Sequence, residues 1–134
     1  MNKQVNFFVL VVLLIVFTGC IGGENGSEEQ TLSVTLVIDY GGVIESEGVP
    51  LVETFGAEVD AGSTTFNLLN ESTDLEYTED PMYGAFITSI NGVGNLGGKY
   101  WMFYVNGEMA SVGVSSYVLQ DGDIVTMKFE EASW

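Results

Sequence analysis

From residue 31 onward the chain alternates between apolar and polar positions. Leu32, Val34, Leu36, Ile38 and Tyr40 are apolar, while Ser33, Thr35 and Asp39 are polar and Val37 interrupts the pattern. This alternation predicts a strand with one buried face. Gly41-Gly42 ends it, and residues 51–59 are expected to return as its hairpin partner. Ser63 is a suitable N-cap for a short helix over residues 64–70, with Phe66 and Leu69 on its buried stripe. Residues 75–78 read as a short strand that Glu79-Asp80-Pro81 breaks. Residues 85–91 and 100–106 read as strong strands separated by the Gly-rich segment 92–98. A last strand, 124–129, follows the turn at Asp121-Gly122-Asp123. Many strands with one helix after the first hairpin predict an α+β fold, mainly antiparallel.

The strand beginning at Tyr100 is apolar on both faces. Trp101, Phe103 and Val105 share one side; Tyr100, Met102 and Tyr104 share the other. Period two leaves neither side polar. One reading is a central strand covered on both faces. The other is a Tyr/Met/Tyr contact surface, since Tyr combines apolar area with a polar tip and Met adapts to irregular partners. Asn106-Gly107 is a hairpin pair, explained by turn chemistry alone.

The N-terminus has a different pattern. Lys3 precedes an unbroken apolar run over residues 7–17, followed by Thr18-Gly19-Cys20. A basic start, a short apolar stretch and small residues before a cut describe a secretory signal peptide. The run is shorter than the roughly 20 residues a bilayer span needs. Cys20 is the only cysteine in the chain, and its setting resembles the bacterial and archaeal lipobox, although Phe17 stands where Leu or Val is usual. The resemblance implies cleavage before Cys20 and lipidation of its thiol, placing the protein on the cell surface or the extracytoplasmic face of the membrane. An ordinary signal peptide with an incidental Cys is the alternative. The expected organisation is therefore a lipoprotein signal at 1–19, a flexible Gly- and Glu-rich tether at 20–30 and a folded domain at 31–134.

Composition then narrows the chemistry. Three Lys plus Arg stand against 19 Asp plus Glu, giving a formal charge of −16, with no His. Removing the signal takes Lys3 with it, so the mature chain is still more acidic. The 46% hydrophobic content is inflated by that same segment. A field this negative argues against nucleic acid as partner. Without imidazole there is no Ser-His or Cys-His pair, and an enzyme is not expected. A single Cys allows no intrachain disulfide, so stability rests on the core.

The segments Phe86-Ile87-Thr88-Ser89-Ile90-Asn91, Lys99-Tyr100-Trp101-Met102-Phe103-Tyr104-Val105-Asn106-Gly107, Gly113-Val114-Ser115-Ser116-Tyr117 and Asp121-Gly122-Asp123-Ile124, in that order, resemble the C-terminal β domain of transcobalamin and intrinsic factor. The similarity covers about residues 33–129. It implies a β-grasp-like domain of the soluble-ligand-binding kind, with cobalamin or another corrinoid as the ligand. In the vitamin carriers the corrinoid lies between this domain and a large helical domain; no part of these 134 residues corresponds to the latter. A half-site gives up much of the burial usual for small-molecule pockets, so a partner protein would complete it. The positions that match the family's motifs are Trp101, Phe103 and Tyr104 on the strand and Gly113 to Tyr117 in the loop after it, with Trp101 and Phe103 read as core before contact. Together with the Tyr/Met/Tyr face, the candidate ligand contacts are Tyr100, Met102, Tyr104, Tyr117 and Trp101. No cofactor is expected, and without His this chain supplies no imidazole to cobalt.

Other sites carry less. Asp74, Glu76, Glu79 and Asp80, and again Asp121 and Asp123, crowd oxygens of the kind that bind Ca²⁺. Neither group has the spacing of an EF-hand loop, and Asp-Gly-Asp suits a tight turn. Asn25-Gly26-Ser27 and Asn70-Glu71-Ser72 fit the N-glycosylation pattern, which is common by chance. Two functions stand: a surface binding module, or a structural module that docks to another surface protein through the same aromatic strand.

Overall fold

The first alternating segment forms strand β1, Thr31–Asp39, in the computed structural model, which describes residues 30–42, 51–94 and 97–132. The signal peptide, Cys20 and all but the last residue of the tether lie outside the described residues. Leu32, Val34, Leu36 and Ile38 are buried, and Val37 turns to the opposite face with Ser33 and Thr35. Strand β2, Val52–Asp60, pairs antiparallel with β1 along its whole length, from Thr31↔Asp60 to Asp39↔Val52. It begins and ends one residue later than expected.

Helix α1 spans Thr65–Ser72, and its N-cap is Thr64, not Ser63. The reason is the residue three positions on. Asn67 N–H donates to Thr64 Oγ1 at 3.2 Å while Asn67 Oδ1 accepts from Thr64 N–H at 2.9 Å, a reciprocal capping box. Three residues after Ser63 stands Phe66, which has no acceptor to return. Leu69 is buried as expected, joined by Leu68 and Thr65, while Phe66 is only half-buried, against the edge of Tyr77 at 4.8 Å.

Strand β3, Leu75–Asp80, runs through Glu79 and Asp80 because both pair with β4, Gly84–Ile90. Pro81 therefore sits in the turn and not at a break before it. Asp80 Oδ1 fixes that turn by accepting from the amides of Met82 and Tyr83 at 2.8 and 2.9 Å. The segment read as a Gly-rich connection contains a two-residue strand, β5, Val93–Gly94. Glycine is required there, since a Cβ on Gly94 would lie 1.9 Å from the Thr88 carbonyl oxygen. Strands β6, Lys99–Val105, β7, Glu108–Met109, and β8, Ile124–Glu131, complete the chain order.

The strands form a five-stranded main sheet, β2-β1-β8-β6-β7, and a three-stranded small sheet, β3-β4-β5. Pairing is antiparallel except between β1 and β8, where Leu36 aligns with Val125 and Ile38 with Met127. A leading hairpin, a helix and a final strand returning parallel beside the first define an α+β, β-grasp-like topology. One face of the main sheet, including Leu36, Ile38, Trp101, Val125, Met127 and Phe129, packs against Leu68 and Leu69 of α1 and Ile87, Ile90 and Val93 of the small sheet. Burying each such side chain contributes about 1.5–3 kcal/mol.

Candidate ligand face

Strand β6 divides the expected contact residues between two environments. Trp101 is 8% exposed and lies in the core, where its indole N–H donates to the Val93 carbonyl at 2.8 Å. Tyr40 meets it edge-on at 5.8 Å, and Phe129 packs at 5.1 Å. Phe103 and Val105 point to the same side and are partly buried against the core.

Tyr100, Met102 and Tyr104 point the other way. Register places them beside Glu130, Lys128 and Thr126 of β8, respectively. Met109 of β7 lies beside Tyr104, while Val37 and Asp39 of β1 flank Thr126 and Lys128 from the other side. The helix and small sheet pack on the opposite face, so no described element covers this one. Tyr100 and Met109 are exposed, and Met102 and Tyr104 are half-buried. The Tyr104 hydroxyl donates to Glu130, whose other oxygen lies 3.4 Å from Lys128 Nζ. The hydrogen bond to Glu130, then burial and the nearby charge, raise the Tyr104 hydroxyl pKa. Asp39, Tyr104, Gly107, Thr126 and Lys128 line an open depression of about 310 Å³. Met109, Asp39 and Lys128 join this face only through strand pairing, which the sequence pattern of β6 alone does not reveal.

Tyr117 is on the core side of β6. It arises in the connection between β7 and β8, its ring meets Phe103 edge-on at 5.9 Å, and its hydroxyl donates to Asp123 Oδ2 at 2.7 Å. Asp123 is 5% exposed. It also accepts from the Gln120 amide at 2.9 Å and from Asn106 Nδ2 at 3.0 Å. Burial alone pushes the Asp123 carboxyl up, but the three donors outweigh it and hold the pKa below the ordinary value. The bond to Asp123, then burial and charge, pushes the Tyr117 hydroxyl to about 12. Tyr117 and Met109 also help line a second open depression of about 300 Å³ beside β7. Tyr117 therefore does not converge with Tyr100, Met102 and Tyr104.

Among the described residues, the two Asn-Gly pairs do more than turn the chain. Asn91 and Asn106 adopt φ of 51° and 52°, followed by Gly92 and Gly107 at 84° and 85°. Asn106 donates its N–H to the Ile124 carbonyl at 2.7 Å and accepts the Ile124 amide on Oδ1 at 2.8 Å. Asn91 brackets Asp74 in the same way, at 2.8 and 2.9 Å. The remaining side-chain N–H of Asn91 reaches the Tyr40 hydroxyl at 2.8 Å, as that of Asn106 reaches Asp123. Each Asn thus clamps the start of a distant strand. The acidic residues are dispersed: among the described residues, no three His, Cys, Asp or Glu side chains are grouped so as to hold a metal ion. Asp121 instead accepts the Ser33 amide at 2.9 Å.

These features define a small β-grasp-like module with one open sheet face. The family described as "Domain of unknown function (DUF4430)" matches residues 62–131, more than half of the chain, and the protein belongs to it. Among solved structures, the chain is similar to haptocorrin in complex with Cbi, at 20% identity and TM-score 0.63, over 81% of this chain and 27% of that one. It therefore spans about a quarter of the haptocorrin chain. It is also similar to a protein of Ruminococcus gnavus ATCC 29149 described provisionally as metal-binding, at 20% identity and TM-score 0.59, over 76% of this chain and 99% of that one. No curated protein matches it in sequence.

Proposed function

We propose that the protein is a non-catalytic binding module, lipid-anchored through Cys20 on the extracytoplasmic side of a membrane, that presents the outer face of its main sheet to a ligand. The observation that carries this reading is the uncovered Tyr100/Met102/Tyr104 row, extended by Met109 and bordered by the Asp39–Lys128 depression. The face is broad and shallow and offers aromatic rings, a thioether and hydroxyls. It suits a flat ligand held from one side, with a partner protein covering the other. The resemblance to vitamin-carrier β domains makes a corrinoid the candidate, and the fold shared with haptocorrin supports it. Titration of the protein with cobinamide and with cobalamin, followed by calorimetry and tryptophan fluorescence, is expected to show saturable binding that Tyr104→Ala weakens. No saturable signal at millimolar ligand would remove the corrinoid. Separately, Cys20→Ser is expected to move the protein out of the detergent phase on partitioning.

A second reading, docking to another surface protein, is favoured by the tip of the β3–β4 hairpin. Met82 and Tyr83 are 79% and 73% exposed there, yet their turn is fixed by Asp80, and two residues beyond Tyr83 the Ala85 N–H donates to Ser115 Oγ at 3.0 Å. A rigid turn that displays two large apolar side chains has the character of an interface anchor.

A further inference from the structure

The edges of the two sheets are protected unequally. Exposed strand edges invite pairing with another chain, and folds usually blunt them by shortening or bulging the strand. Edge strands β5 and β7 have two residues each, and the edge strand β3 carries a bulge between Glu76 and Tyr77. Edge strand β2 has nine residues, pairs with β1 without a register shift and contains no Pro or Lys. No described element pairs with its outer edge.

The hydrogen bonds around β1 show which β2 groups face that edge. Thr35 N–H donates to the Asp123 carbonyl and the Ser33 carbonyl accepts from Gly122, so the odd-numbered residues of β1 turn toward β8. The even-numbered residues of β1 therefore turn toward β2, where they oppose its odd-numbered residues. Tyr40 N–H to the Leu51 carbonyl and Ala61 N–H to the Gln30 carbonyl continue that parity at both ends. The amides and carbonyls of Val52, Thr54, Gly56 and Glu58 and the amide of Asp60 consequently point outward, while the Asp60 carbonyl accepts from Ser63 N–H at 3.0 Å.

We infer that this edge pairs with its own copy, giving a two-fold antiparallel β2–β2 dimer centred on Gly56. An antiparallel partner must set outward-facing residues opposite outward-facing residues. Centring on Gly56 does this over the whole strand: Val52 opposes Asp60 of the second copy, Thr54 opposes Glu58, and Gly56 opposes itself. Between these, Glu53 opposes Val59 and Phe55 opposes Ala57. Although the strand carries Glu53, Glu58 and Asp60, no carboxylate faces another in this register, directly or diagonally. Self-pairing would satisfy every outward backbone group from Val52 to Asp60. It would also join the two main sheets into one, with both candidate ligand faces on the same side. The strong net negative charge opposes association at long range, and salt screens that term.

Sedimentation velocity of the full chain in excess detergent, across protein concentration, tests this. The expected result is a reversible dimer that tightens as salt is raised. Thr54→Glu places a carboxylate opposite Glu58 at two symmetric positions and should weaken the dimer about tenfold. Adding Glu58→Lys to Thr54→Glu should restore it, and Thr54→Lys alone should tighten it. Asn70→Glu, an equal charge change on the exposed side of α1, should leave it unaltered. A monomer at all concentrations, or a dimer indifferent to both Thr54 variants, would overturn the inference.

Discussion

The Tyr117 hydroxyl donates to Asp123 Oδ2 at 2.7 Å and thereby fastens the β7–β8 connection to the turn that launches the last strand. Because Asp123 is almost fully buried, its charge is tolerable only with all three donors present. Tyr117→Phe removes one donor from a buried carboxylate and is expected to cost about 1.5–3 kcal/mol in denaturant unfolding at neutral pH.

The same carboxylate makes a pH prediction. Its pKa lies below the ordinary 3.8 in the folded protein, so the unfolded state binds its proton first on acidification. The stabilisation is complete above the ordinary value and fades as pH falls through the lowered one. Unfolding midpoints measured from neutral pH downward should therefore drop in acid. Asp123→Asn should be less stable at neutral pH and show a shallower acid decline.

At the alkaline end two tyrosines act together. Burial foremost, then the bond to and charge of Glu53, pushes the Tyr40 hydroxyl to about 12 despite the opposing Asn91 amide. Tyr117 is likewise at about 12 through Asp123. Raised pKa values mean stability is intact below the ordinary 10 and is lost as pH climbs toward 12. Tyrosinate absorbance should show these two hydroxyls, together with the raised hydroxyl of Tyr104, ionising above the ordinary value, with unfolding in that window. Tyr40→Phe should remove one of them and leave Glu53 and Asn91 without their shared partner.

How far all this was legible in the sequence depends on how locally each feature is encoded. The alternation in β1 and the two faces of β6 follow from period two and appear as expected. β5 and β7 are too short to carry any period. The choice of Thr64 over Ser63 as cap turns on the side chain at Asn67, a signal that was available in the sequence. Tyr117 is different in kind: a strand's periodicity says which of its own residues share a face, but not on which face a residue from a later connection docks. Asp123 similarly reads as turn chemistry, because nothing local reveals that Asn106 and Tyr117 converge on it.

Asn106 offers a test of the clamp. Replacing it with Ala removes the side-chain bonds to Ile124 and Asp123 and leaves a Cβ-bearing residue without Asn's tolerance at φ of 52°. Asn106→Ala is expected to cost about 2–3 kcal/mol. Asn106→Gly, which relieves the backbone but also loses the bonds, should cost less. Equal losses would show that the hydrogen bonds alone matter.

The two sides of β6 make the sharpest separation between folding and binding. Trp101 fills the core between Tyr40 and Phe129, so Trp101→Ala should cost about 3–5 kcal/mol through the cavity it leaves. Met102→Ala and Tyr104→Ala lie on the uncovered side and should each cost about 1 kcal/mol or less. Binding should show the reverse order. At temperatures where every variant is folded, the two outer substitutions should weaken ligand affinity by tenfold or more if that face is the contact surface. Trp101→Ala should change affinity little while lowering the melting temperature most. If instead Tyr117→Phe and substitutions lining the depression beside β7 weaken binding while Met102→Ala and Tyr104→Ala do not, the contact surface is the sheet edge at β7 and the outer face is surplus to it.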